Sequence, residues 1–238
     1  MKARLLHVSD LHTGTHEEPE VEQALARLVE RLEPQLVVAS GDLAHRGRRE
    51  QLERAAELLR SLGPPVLAVP GNHDLPHTPE RFVRPWAKFE RVWETTEPTA
   101  TAPGLHVVGL NSARPFRHQG GAVSRGQLEH AAERLAAAEE GALRVAVLHH
   151  HLIGAPWRAA RKRPVSHRNG VLQALVDAGA ELILSGHIHQ AAVSERHDFE
   201  VVGDEAHTAV VAVAPGLGQP RPRRLGEARG LHLHEVDA

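Results

Sequence analysis

Residues 4–12 read Arg4-Leu5-Leu6-His7-Val8-Ser9-Asp10-Leu11-His12, an apolar run that stops on an acid and an imidazole. A short apolar stretch bounded by polar residues reads as a buried strand, so the strand spans 4–8 and the acid follows its end. The same pattern recurs along the chain. Leu36 to Ala39 runs into Gly41-Asp42, and Val66 to Val69 into Gly71-Asn72-His73-Asp74. Val145 to Leu148 runs into His149-His150-His151, and Glu181 to Leu184 into Gly186-His187-Ile188-His189. Helical patterns near 18–32 and 49–62 separate the first three strands. In the second helix Leu52, Ala55, Ala56, Leu58 and Leu59 oppose Glu and Arg, and Gly63-Pro64-Pro65 ends it. This alternation predicts parallel strands joined by right-handed crossovers.

Between 76 and 104 the pattern loosens, with Pro76, Pro79, Pro85, Pro98 and Pro103 around a helix predicted near 79–93. A strand follows over Leu105 to Leu110, and Ser124-x-x-Gln127 forms a capping box that opens a helix to about Glu140. Strand 143–148, a helix near 168–178 and strand 181–185 come next. Strand-like runs at 191–195, 199–202, 207–213 and 230–236 are expected to pair antiparallel. Two mixed sheets packed face to face, with helices outside, would bury all these runs. The expected fold is therefore α/β, a four-layer αββα sandwich. No linker or repeat divides residues 1–238, which read as a single domain.

The chain has 238 residues, 41% hydrophobic and 24% charged, with a formal net charge of −2. That balance is ordinary for a globular protein and argues against nucleic-acid or membrane-surface binding driven by bulk charge. No cysteine is present, so thiolate sites and disulfides are excluded and any metal must sit on His, carboxylate or amide ligands. No apolar run approaches the ~20 residues of a membrane span. A cleaved leader would remove Asp10 and His12, so a cytoplasmic location is expected.

In an extended segment residues i and i+2 share a side, which lets Asp10 and His12, and likewise His187 and His189, point together. Asp42 follows a glycine where backbone must approach closely, and its two oxygens can bridge two cations. Asn72 offers a neutral amide oxygen. His73 then lies beside the metals, with Asp74 able to hold its ring in one tautomer. Any of His149, His150 and His151 can supply a further ligand; alternation puts 149 and 151 on one side and 150 on the other. Singly, each motif is also a turn or a cap. Together, oxygen and imidazole ligands at the ends of several strands are what a two-metal hydrolytic centre needs.

The set and its order resemble the calcineurin-like metallophosphoesterase superfamily over nearly the whole chain. The resemblance implies one metal on Asp10, His12, Asp42 and His189 and a second on Asp42, Asn72, His150 and His187. His150 comes from aligning Leu152 with the proline of the family's His-His-Pro segment; His149 is the alternative. Two Mn, Fe, Zn or Co ions are implied, with a bridging hydroxide attacking phosphorus, His73 as general acid and Asp74 orienting it. Leu110-Asn111-Ser112, Gly120-Gly121-Ala122-Val123-Ser124, Gln127-Leu128 and Leu135 resemble the class III cyclic nucleotide phosphodiesterase branch, as does the closing stretch Gly230 to Val236. The expected substrate is a small phosphodiester, with a cyclic nucleotide favoured. Phosphomonoesterase or nucleotide pyrophosphatase activity on the same centre is the alternative, ahead of a nuclease or a non-catalytic scaffold. Leu152 to Arg168, with Trp157, Arg158, Arg161, Lys162 and Arg163, reads as an amphipathic insertion such as a lipid-linked pyrophosphatase would need, or equally as a lid over an anionic substrate or the subunit interface of a homodimer.

Overall fold

The computed structural model describes residues 2–15, 19–153, 162–197, 208–218 and 229–237. The first half alternates β1 (Lys2–Val8), α1 (Pro19–Leu32), β2 (Leu36–Ala39), α2 (Arg49–Ser61) and β3 (Val66–Ala68). Then come two short helices, α3 (Glu80–Val83) and α4 (Ala87–Trp93), and the strands β4 (Thr99–Ala102) and β5 (Leu105–Gly109). The second half holds α5 (Arg125–Ala136), β6 (Leu143–Val147), α6 (Arg168–Asp177), β7 (Leu182–Ser185), β8 (Ala192–His197), β9 (Thr208–Val213) and β10 (His232–Asp237).

Two sheets result, one ordered β10-β1-β2-β3 and the other β4-β5-β6-β7-β9-β8. Both are mixed. In the first, β1, β2 and β3 run parallel and β10 joins antiparallel; in the second, β5, β6, β7 and β9 are parallel, flanked by antiparallel β4 and β8. The parallel strands are apolar on both sides because both faces are covered. Leu5, Leu36, Val38 and Leu67 meet Val107, Val145, Val147 and Leu184 between the sheets. On the outer face of the first sheet, Leu6, Val37 and Ala39 pack on Leu25 and Val29 of α1 and on Leu52, Ala55 and Leu59 of α2. On the other sheet Val108, Ala146 and Ile183 pack on Ala131 and Leu135 of α5 and on Val171, Leu172 and Leu175 of α6. These are the four layers the sequence predicts.

Some local expectations change. The helix expected near 79–93 is two, because Pro85 has no amide hydrogen and excludes Arg84 from the helical region. Strand β4 was not foreseen: Thr99-Ala100-Thr101-Ala102 is weakly apolar, and only Ala100 and Ala102 reach the layer between the sheets. The C-terminal strands do not all pair antiparallel, since β9 lies parallel to β7 while meeting β8 antiparallel. The run at 199–202, Trp157, Arg158 and Arg161 lie outside the described residues. At α5 the capping box forms: the Gln127 amide donates to Ser124 Oγ at 3.3 Å, and Gln127 Oε1 accepts from the Ser124 amide at 3.0 Å. Among the described residues, no helix is long and apolar enough to cross a membrane.

Candidate metal centre

All five motifs follow the C-terminal ends of parallel strands, β1, β2 and β3 in one sheet and β6 and β7 in the other. Ligands commonly collect at that edge of an open α/β sheet. The loop after β1 runs beside the loop after β2, with the amides of Asp10, His12 and Thr13 donating to the carbonyls of Gly41, Asp42 and Leu43 at 2.9–3.0 Å. Asp10 and Asp42 are thereby brought together.

Backbone strain concentrates here. Asp10, His12, Asp42, His187 and His189 have φ of 54°, 48°, 52°, 71° and 55°, left-handed values that cost non-glycine residues of order 1–3 kcal/mol each. The extended-segment reading of Asp10-x-His12 and His187-x-His189 therefore does not hold, although the residues it paired do converge. Two glycines let the loops close. A Cβ on Gly71 would stand 2.2 Å from Asp42 Oδ1, and one on Gly41, whose φ is +97°, would stand 2.7 Å from His149 Nδ1.

Each acid is held by one oxygen and presents the other. Asp10 Oδ2 accepts from Ser9 Oγ at 2.6 Å and from the His187 amide at 3.0 Å, while Oδ1 lies 2.9 Å from His189 Nε2. Asp42 Oδ1 accepts from the His73 amide at 2.8 Å, and Oδ2 lies 3.3 Å from His149 Nε2 and 3.9 Å from His12 Nε2. The ligand-bearing atoms form two groups that share Asp42: Asp10, His12, Asp42 and His189 in one, Asp42, His149 and His187 in the other. Asn72 is buried beside them and its Oδ1 has no hydrogen-bond partner, as is true of Asp10 Oδ1, Asp42 Oδ2, His149 Nε2 and both ring nitrogens of His187. Buried polar atoms are rarely left so, and oxygen and imidazole atoms gathered in this way suit cations.

The electrostatics agree. Burial works against ionising Asp10 and Asp42, but His189 beside the first and His149 beside the second outweigh it, and both carboxyls are held well below their ordinary range. Burial likewise works against charging His149, and Asp42 outweighs it, raising the imidazole to about 9. For His12 burial prevails over Asp42 and Asp10, leaving it at about 3. Lys162 extends positive charge over the site, lowering His150, His151 and His187 further after burial has done most of the work.

At two positions the side chains lie differently from the expected arrangement. The group around Asp42 contains His149 and not His150. Strand β6 ends at Val147, so strand alternation does not govern 149–151. His149 Nδ1 donates to the Ser40 carbonyl at 2.8 Å, aiming Nε2 at Asp42, whereas His150 Nδ1 lies 2.9 Å from Ser112 Oγ. Asp74 does not touch the His73 ring. Its Oδ1 accepts from the Ala44 amide at 2.7 Å and its Oδ2 from the Gly71 amide at 2.8 Å, so it clamps two loops, and burial and the charge of Asp42 raise it to about 7. The ring of half-buried His73 is oriented by the His45 carbonyl, 2.8 Å from Nδ1.

His45, His77 and His118 were missed by sequence reading. The His45 ring stacks on His73 at 5.7 Å, with His12, His77 and His118 continuing the array. Their signal was the count of 19 histidines in the chain.

Comparison with known proteins places this arrangement. Residues 3–191 match the family model described as calcineurin-like phosphoesterase, and the chain belongs to that family. It is 30% identical over 168 residues to a probable cyclic nucleotide phosphodiesterase of Synechococcus, a match spanning 68% of this chain and 61% of the relative, so just over a third of that protein has no counterpart in it. It is 26% identical over 221 residues to the 3',5'-cyclic adenosine monophosphate phosphodiesterase CpdA of Haemophilus influenzae, covering 85% of this chain and 76% of that one. Among solved structures, a dimetal phosphatase from Danio rerio superposes with a TM-score of 0.64 at 15% identity, covering 97% of this chain and 91% of the other. A purple acid phosphatase from yellow lupin gives 0.68 at 11% identity, covering 99% and 49%. These last two share the fold.

Proposed function

We propose that the chain is a dinuclear metal-dependent phosphodiesterase whose substrates are cyclic nucleotides. The observation that carries the reading is the set of buried ligand atoms on Asp10, Asp42, Asn72, His149 and His187 that make no well-formed hydrogen bond, the acids and imidazoles among them falling in two groups about one shared carboxylate. Asp10, His12, Asp42 and His189 would hold one cation, and Asp42, Asn72, His149 and His187 the other. Oxygen and imidazole donors without sulfur suit Mn, Fe, Zn or Co. When bound, such a pair supplies Lewis acidity to phosphoryl oxygens and makes water acidic enough to act as a nucleophile near neutral pH.

The chain's own residues do the rest. The His45 carbonyl can only accept, so His73 Nδ1 carries a proton and Nε2 is the atom left to exchange one. Protonated on both nitrogens, His73 is the general acid that gives Nε2–H to the departing sugar oxygen. Its amide is tied to Asp42 Oδ1, which fixes the acid relative to the shared ligand. Lys162 supplies a positive field for an anionic substrate. The nucleotide relatives support the choice of substrate class.

The test is a turnover screen of protein stripped of metal and reloaded with Mn²⁺, Fe²⁺, Zn²⁺ or Co²⁺. Cyclic nucleotides should give the highest kcat/KM among cyclic nucleotides, open phosphodiesters, monoesters and nucleoside diphosphate conjugates. Preference for monoesters or diphosphate conjugates would move the assignment to a phosphatase or pyrophosphatase on the same centre. Absence of turnover with every metal would overturn it.

A further inference from the structure

Away from that centre, three imidazoles meet where β1 and β10 pair. His7 lies opposite His232 in the ladder, and Leu5 lies opposite His234. On β1, Ala3 and Leu5 face the layer between the sheets, and alternation puts His7 on that face; Val236 does the same for His232 and His234 on β10. The three ring centroids are 5.8, 6.0 and 6.1 Å apart, and one nitrogen from each ring lies within 4.8 Å of the others.

The ring of fully buried His7 is fixed through Nε2, 2.8 Å from Ser40 Oγ, and its Nδ1 has no hydrogen-bond partner. His232 Nδ1 and His234 Nε2 are also buried without one. Leaving a buried nitrogen unpaired is costly, and three such atoms in one cluster call for a common partner. No carboxylate belongs to the group. Burial lowers all three pKa values, His234 to about 4, so the rings are neutral at ordinary pH and offer lone pairs.

We infer that His7, His232 and His234 form a further metal site, sharing no ligand with the dinuclear centre, that binds one Zn²⁺-like transition-metal ion. Three imidazoles without an oxygen ligand favour Zn²⁺, Co²⁺, Ni²⁺ or Cu²⁺ and disfavour Mg²⁺ and Ca²⁺. Metal–nitrogen distances of about 2.0–2.1 Å require the rings to draw together. His232 and His234 can do so, being only partly buried on β10, the edge strand of its sheet, while Ser40 holds His7 as an orienting hydrogen bond does in metal sites. The fourth position, on the half-exposed side, is left for water or an exogenous ligand.

The experiment compares the full chain with the double variant His232→Gln/His234→Gln, each stripped and then equilibrated with Zn²⁺. The unaltered chain should retain one more Zn²⁺ per chain than the variant, and phosphoester turnover after reloading should be the same in both. The single variant His234→Gln should weaken that ion by more than the roughly 10–100-fold typical of losing an orienting partner. Because only the difference between chains is read, the result does not depend on how many ions the other centre holds. If the double variant does not fold, imidazole resonances of the unaltered chain decide: saturating Zn²⁺ should perturb those of His7, His232 and His234. Equal Zn²⁺ content in the two chains, or unperturbed resonances, overturns the site.

Discussion

Exchanging His149 and His150 separately for Gln discriminates the two candidates for the second metal. Gln is close to His in size and polarity, so shape is largely kept and the imidazole is lost. In the unaltered chain His149 Nε2 lies 3.3 Å from Asp42 Oδ2 with both residues fully buried, whereas His150 makes its side-chain contact with Ser112 Oγ at 2.9 Å. Losing a direct ligand should exceed the roughly 10–100-fold cost of an orienting partner, so His149→Gln should weaken one cation by more than about 2.7 kcal/mol. In chelator, His149→Gln also strips a buried acid of its partner, which costs about 3–5 kcal/mol. His150→Gln should cost about 1 kcal/mol for one hydrogen bond and keep both ions. At about 2–4 °C per kcal/mol for a chain of this size, the two melting temperatures in chelator should be clearly separated. Metal analysis beside thermal unfolding is the assay. Should His150→Gln lose an ion while His149→Gln retains two, the geometry at Asp42 has been misread.

Asp42 belongs to both ligand groups and Asn72 supplies one neutral oxygen, so Asp42→Ala should lose more metal and more turnover than Asn72→Ala; equal losses by elemental analysis would show that Asp42 is not shared. His73→Asn should keep metal and fold but slow substrates with an alkoxide leaving group by roughly 10²–10⁴-fold, and nitrophenyl esters far less, in steady-state kinetics. Asp74→Asn should act differently from His73→Asn. It weakens the clamp on the Ala44 and Gly71 amides, costing about 1–3 kcal/mol in denaturant unfolding, with no dependence of its rate effect on the leaving group.

The layers, and the gathering of ligand-type residues at the ends of parallel strands, were legible because both rest on short-range signals. Apolar runs of strand length, helices with one apolar face, and a polar residue of ligand type after each strand survive without knowledge of packing. What escaped needed three dimensions. His149 and His150 cannot be told apart by alternation once β6 has ended at Val147, and the Ser40 carbonyl that turns His149 comes from another strand. Asp74 sits beside His73 in sequence, but in the loop its carboxylate turns toward the Ala44 and Gly71 amides. The left-handed backbone at His12, His187 and His189 could not be read locally, since few histidines adopt it and nothing in the neighbouring sequence singles these out. The meeting of His7 with His232 and His234 depends on the register of β1 with β10, which joins opposite ends of the chain.

Bound cations, as proposed, would offset that strain and the burial of the acids together. Without cations the centre holds two fully buried carboxylates, balanced in part by His149, and several imidazoles that burial keeps neutral. Left-handed loops at five positions add a further cost that the surrounding strands must hold in place. Cations that bind the folded chain and not the unfolded one lower the free energy of the folded state by RT ln(1 + [L]/Kd), which grows with every tenfold gain in affinity. The same feature that makes the site expensive to fold alone, ligand atoms fixed in advance with one oxygen or nitrogen anchored and the other bare, removes the cost of arranging ligands when metal arrives. Rigid anchoring through Ser9, Ser40 and the His73 amide would therefore link stability to metal occupancy, while the His45 carbonyl orients the His73 ring.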